Sequence, residues 1–380
     1  MRICCIAPSR IPSETANSIQ AMKASHALAQ LGHEVILIAP GSGPPGQTQQ
    51  EKWQLLADQY GIETYFQQVY LPPFDGWLAR RLFPWRAIWH AGRIKPDLLY
   101  TWLYQSAIGG LLQGRKVVLE MHGLPEGRFA RMWYRLYLLL PGQKRQMVIT
   151  RALKDRLEKN YSLPQPETMI APNGVALERY DQLPSPDEAR RQLGLRQQPT
   201  VACTGSVYAG RGVELVLSLA GQMPDVHFLW VGGRPKEVAS RRDEVQQLGL
   251  KNVTFSGFVP NADLPLYQAA ADILLMPYQL DVGGSSGSAP VEFFSSMKMY
   301  EYMASRRPII SSDLPVIHEV LDEHSAVFCP PADPHVWESA IRRLLAHPDE
   351  AARLTEHAHQ QVLPFSWTSR AEKVLQGWKI

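Results

Sequence analysis

Short unbroken apolar runs alternate along the chain with segments whose apolar residues recur every three or four positions. Residues 3–7 are one such run, closed by Pro8; Ile19, Met22, Leu28 and Leu31 then keep helical spacing until Gly32 stops it, and 33–39 is the next run. Unbroken runs of this length are strands buried on both faces, so strand, helix and strand here predict a right-handed βαβ unit in a parallel sheet. Residues 41–60, rich in Gly, Pro and Gln, read as a loop leading into a polar helix. Further strands are expected at 63–66, 97–100, 117–120, 147–150 and 168–171.

The same alternation restarts in the second half. Strands are expected at 200–205, 226–231, 253–259, 271–276 and 326–329, with helices between them. The fold class is therefore α/β, with two Rossmann-like, doubly wound parallel sheets facing each other across a cleft. Pro172, Asn173, Gly174 and Val175 make a sharp turn near the end of the first half, and 185–199, with Pro186, Gly194 and Pro199, reads as the linker between domains at 1–184 and 200–364. Ligands of such sheets bind beyond the carboxyl ends of the strands. That rule selects the loop from Ser9 to Asn17, the segment Glu120, Met121, His122 and Gly123, the loop 206–212, and Gly232 with Gly233.

Composition narrows the picture. With 380 residues, 45% hydrophobic and 20% charged, the chain has the make-up of a soluble protein of two or three domains. No apolar run reaches the roughly 18 residues needed to span a bilayer, and 1–7 is too short for a signal peptide's apolar region, so a cytoplasmic location is expected. The four cysteines show no Cys-x-x-Cys spacing and read as reduced core residues. Net charge is only +3, yet between Pro72 and Asn160 sixteen Lys and Arg stand against six Asp and Glu. Within that stretch, 77–93 and 128–137 interleave aromatic and basic residues, a pattern suited to peripheral contact with an anionic membrane, equally explained by aromatics packed inward beneath solvated arginines. No zinc, RNP or helix-turn-helix signature supports nucleic acid, and neither Gly-x-Gly-x-x-Gly nor a P-loop is present.

The densest chemistry lies between Gly283 and Leu321. A loop of small residues, Gly283, Gly284, Ser285, Ser286, Gly287 and Ser288, precedes a helix carrying Lys298 and Glu301 on one face. Small residues let a backbone aim its N–H groups at an anion near a helix start, and the cation and carboxylate suit the phosphates and ribose of a nucleotide diphosphate. An ordinary surface ion pair would have the same spacing.

The wording Ser295-x-x-Lys298-x-x-Glu301-Tyr-Met-Ala304, followed by Arg306-Arg-Pro-Ile-Ile-Ser-Ser-Asp313-Leu-Pro315 and His318-Glu-Val-Leu321, resembles the donor segment of glycosyltransferase family 4. The resemblance implies a GT-B fold, a nucleotide-sugar donor, a glycan or lipid-linked acceptor and retained anomeric configuration. It also implies a final helix, 365–380, that packs back on the N-terminal domain. Glu301 matches the ribose-binding glutamate; the sugar-side glutamate is replaced by Phe293, leaving Glu292 or backbone amides around Ser285 to Ser288 for that contact. The Gly-Arg…Lys-Gly pyrophosphate motif becomes Gly205, Ser206, Arg211 and Gly212, Val259 borders the base, and His122 followed by Gly123 faces the donor sugar. Glu120 then orients His122 or serves the acceptor. No Asp-x-Asp occurs, so metal-independent transfer, with no cofactor, is expected. The rival reading is a catalytically silent paralogue that binds a nucleotide sugar or a partner enzyme.

Overall fold

The computed structural model describes residues 1–72, 77–161, 166–284 and 287–378. The chain forms two compact units, Met1–Asn173 with Trp367–Ile380, and Gly174–Ser366.

The first unit holds seven parallel strands: β1 (Arg2–Ile6), β2 (Glu34–Pro40), β3 (Gln67–Leu71), β4 (Leu98–Thr101), β5 (Lys116–Met121), β6 (Lys144–Val148) and β7 (Glu167–Ile170). Their order is β3-β2-β1-β4-β5-β6-β7. Because β1 pairs with both β2 and β4, the direction of winding switches there, and the carboxyl ends of β1 and β4 border the place where such sheets open. Between the strands run α1 (Ala16–Gln30), α2 (Gln49–Tyr60), α3 (Trp77–Ile94), α4 (Tyr104–Leu112), α5 (Gly127–Leu139) and α6 (Arg151–Asn160).

Helix α1 starts where Thr15 accepts a hydrogen bond from the Ser18 amide, and it is buried over most of its length. That burial covers polar residues too, and each needs a partner. Lys23 Nζ donates to the Gly61 carbonyl at 2.8 Å, and His26 Nε2 accepts from the amides of Glu63 and Thr64 at 3.2 and 3.0 Å. Those two amides are thereby spent, and the strand expected at 63–66 forms instead at Gln67–Leu71.

The second unit holds β8 (Thr200–Thr204), β9 (His227–Val231), β10 (Val253–Gly257), β11 (Ile273–Met276), an antiparallel hairpin β12 (Asp281–Gly284) and β13 (Gly287–Pro290), then β14 (Ile309–Ser312) and β15 (Val327–Cys329). Its parallel sheet runs β10-β9-β8-β11-β14-β15. The helices are α7 (Pro186–Gln192), α8 (Val213–Gln222), α9 (Pro235–Gln247), α10 (Leu264–Ala269), α11 (Met297–Ala304), α12 (Pro334–Ala346) and α13 (Pro348–Val362). Alternate strand residues feed opposite layers, as a pleated strand requires. Val201, Cys203, Phe228, Trp230, Ile273 and Leu275 pack with α8 and α12, whereas Ala202, Leu229, Val231, Leu274 and Met276 pack with α11 and α13. This is the doubly wound arrangement expected for both halves.

One boundary differs from expectation, and the return of the last helix to the first unit does not. The stretch 185–199 contains α7, whose Ser185 cap accepts from the Glu188 amide and whose Ala189 packs on Ala269 and Ala270, so it belongs to the second unit and the division lies at Asn173 and Gly174. After Ser366 the chain returns to the first unit as α14 (Trp367–Leu375).

Candidate functional site

In the first unit, a cavity of about 250 Å³ opens at the carboxyl ends of β1, β4 and β5, lined among others by Ser9, Asn17, Gln20, Trp102, Glu120 and His122. Strand β5 places Glu120 on its inner face, with no exposed side-chain surface, while His122, two residues on, retains 29%. A buried carboxylate must be paired or protonated. Here it is paired: Glu120 Oε1 accepts from Gln20 Nε2 at 2.7 Å, His122 Nε2 at 2.7 Å and Arg370 Nη2 at 2.6 Å, and Oε2 accepts from the Tyr100 hydroxyl. Burial pushes the Glu120 carboxyl up, but the Arg370 guanidinium and the bonds from His122 and Tyr100 outweigh it and hold the group at about 2. An ionised carboxylate only accepts, so His122 Nε2 carries the hydrogen and Nδ1 is the ring's remaining polar atom. Glu120 thus sits behind His122 and holds its ring, as the first of the two roles expected for it, orienting His122, requires.

Arg370 comes from α14. It also donates to the carbonyls of Pro172 at 2.8 Å and Ala171 at 3.3 Å, while Lys373 takes the Ile170 carbonyl at 2.7 Å and Arg145 takes that of Val374. These bonds fix the last helix beside the end of β7.

In the second unit, the loop after β8 begins at Gly205 and ends at Gly212, both at positive φ. A Cβ on Gly212 would lie 2.1 Å from the Pro277 carbonyl oxygen, so only glycine allows this approach. The loop is held at its other end by Trp230 Nε1, which donates to the Gly205 carbonyl at 2.9 Å. The contact brings Arg211 to Tyr278, its guanidinium 5.5 Å from the ring centroid. From α11, Lys298 Nζ lies 4.5 Å from the same centroid and donates to Cys203 Sγ at 3.6 Å. Tyr278 is 1% exposed and its hydroxyl bonds Ser296 Oγ at 2.7 Å. Two cations from separate elements therefore gather on one fixed ring, beside a glycine loop and the start of α8. One turn along α11, Glu301 Oε2 accepts from Gln268 Nε2 at 3.3 Å.

The remaining sequence candidates are placed as follows. Ser206 is half-buried in the Gly205 loop, Gly233 has φ +100° with Val207 and Val238 close by, and Val259 packs on the α11 layer. The small-residue loop is a hairpin in which Gly284 pairs with Gly287; Ser285 and Ser286 lie outside the described residues. Phe293 is buried at 6% exposure and Glu292, its neighbour in a single 3-10 turn, is exposed.

On α5, Tyr134, Tyr137 and Leu138 face inward, but Phe129, Met132, Leu136 and Leu139 form an exposed stripe beside Arg128, Arg131 and Arg135. Trp85 of α3 meets Trp133 edge-on at 5.9 Å, and Trp89 is 54% exposed under Arg93. Both segments therefore turn part of their aromatic surface outward. Among the described residues, no helix is long and apolar enough to cross a membrane, and no group of three His, Cys, Asp or Glu side chains is arranged to hold a metal ion.

Sequence reasoning missed Arg370, Gln20, Tyr100 and Tyr278. Only Gln20 had a nearby signal, as a polar residue inside an apolar helical face.

Comparison with known proteins adds identity to this geometry. The profile described as Glycosyltransferase Family 4 matches residues 19–179, and that described as Glycosyl transferases group 1 matches residues 198–347. The chain is 25% identical over 290 residues to the O-antigen chain mannosyltransferase RfbU of Salmonella typhimurium, covering 70% of this chain and 75% of that one. It is 22% identical over 228 residues to an alpha-D-kanosaminyltransferase of Streptomyces kanamyceticus, the match spanning 56% of this chain and 54% of the relative. HepE of Anabaena, solved with UDP-glucose, superposes with a TM-score of 0.74 at 16% identity, covering 99% of this chain and 98% of that one.

Proposed function

The chain belongs to the group 1 glycosyltransferases of family 4, and from that premise we propose that it moves a sugar from a nucleotide-diphosphate donor to a glycan or lipid-linked acceptor. Transfer retains the anomeric configuration, needs no metal ion, and contributes to polysaccharide or glycolipid synthesis. The observation that carries the proposal is the gathering of Arg211 and Lys298 on the Tyr278 ring, beside the glycine loop before α8. A diphosphate leaving group develops charge as the anomeric bond breaks, and two preorganised cations with a helix start stabilise that charge. Arg211 offers a planar fork of donors and Lys298 a compact charge, so their roles are not interchangeable. Glu301 takes ribose hydroxyls. His122 presents Nδ1 to a sugar hydroxyl, and Ser9 and Asn17 border the acceptor. Support for this reading comes from the O-antigen chain mannosyltransferase among the relatives and from the fold neighbour whose structure holds UDP-glucose.

The exposed apolar stripe of α5 and its arginines support an acceptor carried on an anionic membrane, met peripherally by α3 and α5. Sedimentation with vesicles of anionic phospholipid at low salt tests this; recovery of all protein in the supernatant would rule it out. The buried Phe293 and the serine at 206 favour the rival reading of a silent paralogue, which binds a nucleotide sugar without turnover.

The donor reading is tested by a thermal-shift screen of UDP, GDP and ADP sugars with and without EDTA, repeated on Lys298→Ala and Glu301→Ala. Stabilisation by one nucleotide class, unaffected by EDTA and lost in both variants, is expected. Absence of any shift at millimolar ligand would refute the donor site.

A further inference from the structure

We propose that Arg370, delivered by the last helix, is a positioning residue that acts through Glu120 to fix the hydrogen of His122 on Nε2 and leave Nδ1 as an acceptor. The proposal deepens, and rests on, the reading of His122 as the ring that meets a sugar hydroxyl. Its basis is geometric. Arg370 is 6% exposed, 250 residues away in sequence, and donates to the same Glu120 oxygen that receives His122 Nε2.

The groups facing that carboxylate are Gln20 from α1, Tyr100 from β4, His122 beyond β5 and Arg370 from α14, with Cys5 of β1 within electrostatic reach. Arg370 is the one among them that stays cationic whatever the state of His122. The Tyr100 hydroxyl sits 3.2 Å from Arg370 Nη1, and burial, followed by the Glu120 charge, keeps its phenol well above the ordinary range. Tyr100 therefore donates and cannot replace the positive charge.

Removal of Arg370 has a definite consequence. Without Arg370, Glu120 keeps its contacts to Gln20, Tyr100 and His122 but no permanent cation, and a fully buried carboxylate without a compensating charge takes up a proton. A protonated Glu120 donates to the ring nitrogen instead of accepting from it, so His122 carries its hydrogen on Nδ1. A sugar hydroxyl would then meet a donor where it had met an acceptor. The last helix thus sets the polarity of the His122 edge without touching substrate.

The test uses the full chain with 15N-labelled histidine. Two-bond 1H–15N spectra report which ring nitrogen is protonated, and the His122 signals are identified by their loss in His122→Gln. In the native protein at neutral pH, Nε2–H is expected; in Arg370→Met, Nδ1–H is expected, and Arg370→Lys restores Nε2–H. For transfer, Arg370→Met should lower kcat by at least about tenfold, and by up to the roughly 10²–10⁴-fold that a positioned proton-transfer group supplies, with donor KM and the nucleotide thermal shift unchanged. In a His122→Gln background the same change should add no further loss.

If His122 keeps Nε2–H in Arg370→Met, the positioning proposal is overturned. If the tautomer changes but neither Arg370→Met nor His122→Gln alters turnover, positioning stands and the reading of His122 as the sugar-facing ring fails. Should Arg370→Met not fold, Arg370→Gln carries the test: it keeps a hydrogen-bond donor without the charge, so Nδ1–H is expected again, and persistence of pure Nε2–H would overturn the proposal.

Discussion

Mild acid should loosen each unit through one buried histidine. His26 is 5% exposed and His227 is 2% exposed, and each ring is held neutral in the folded chain. Burial, then the charge of Lys23, lowers His26 from 6.5 to about 4; burial, then the charges of Arg196 and Arg190, lowers His227 to about 4 as well. The sign follows directly. A group whose folded value lies below its unfolded value binds more protons when unfolded, so its contribution is intact above pH 6.5 and is lost progressively as pH falls toward 4. At pH 5 the unfolded ring is almost fully protonated and the folded ring mostly neutral. That is a gap of about 1.5 pH units at about 1.4 kcal/mol each, or about 2 kcal/mol per histidine. Glu120 does not confuse the window, because its folded value of about 2 lies below its ordinary 4.5 and its contribution fades only below pH 4.5.

His26→Gln removes one of the two titrations. The side-chain carbonyl oxygen of the introduced glutamine can still accept from the amides of Glu63 and Thr64, while the titration is gone. Urea unfolding of both proteins at pH 7 and pH 5, fitted with a separate transition for each unit, gives the comparison. The native first unit should lose about 2 kcal/mol more than the variant between those pH values. Equal losses in the two proteins would refute the assignment of a neutral, buried His26.

Other consequences follow from single contacts. Glu120→Ala leaves Arg370 buried without its carboxylate and should cost about 3–5 kcal/mol in the first unit, read by denaturant melts; a cost under about 1 kcal/mol would show that the pair is not enclosed. Gly212→Ala places a Cβ against the Pro277 carbonyl at φ +89°, so it should displace Arg211 and abolish nucleotide stabilisation while the far sheet edge keeps its hydrogen-exchange protection. Trp230→Phe removes the indole bond to Gly205 and should cost about 1 kcal/mol together with a weaker nucleotide response.

The parallel sheets were legible because their strands are unbroken apolar runs, a signal that burial on both faces imposes. Two strands depart from it: β6 opens on the polar Lys144, Arg145 and Gln146 and so starts three residues before the expected 147–150, and β3 is an edge strand whose Gln67 and Gln68 break that signal, while neighbouring residues 63–66 mimic a strand but spend amides on His26. Residues 185–199 were misread because Pro and Gly dominated the impression. Ser185, Pro186, Asp187 and Glu188 are in fact a helix-start sequence, with a capping serine, proline in the first turn and acids beside the dipole. The paired strands Asp281–Gly284 and Gly287–Pro290 hide in glycine and serine, which carry almost no strand preference. Lys298, Glu301, Arg211 and His122 stand out in the sequence because motif spacing or strand-end position marks them. Arg370 and Tyr278 matter only through contacts made after folding, and no local pattern announces them.

Sugar transfer is tested most directly by nucleoside diphosphate release from a nucleotide sugar, with the product anomer read by NMR in the presence of lipid-linked or glycan acceptors. Acceptor-dependent release, an anomer of the donor's own configuration, and full activity in EDTA are expected. Nucleotide-sugar binding without release against any acceptor would contradict sugar transfer and identify the chain as a binding protein built on an enzyme's fold.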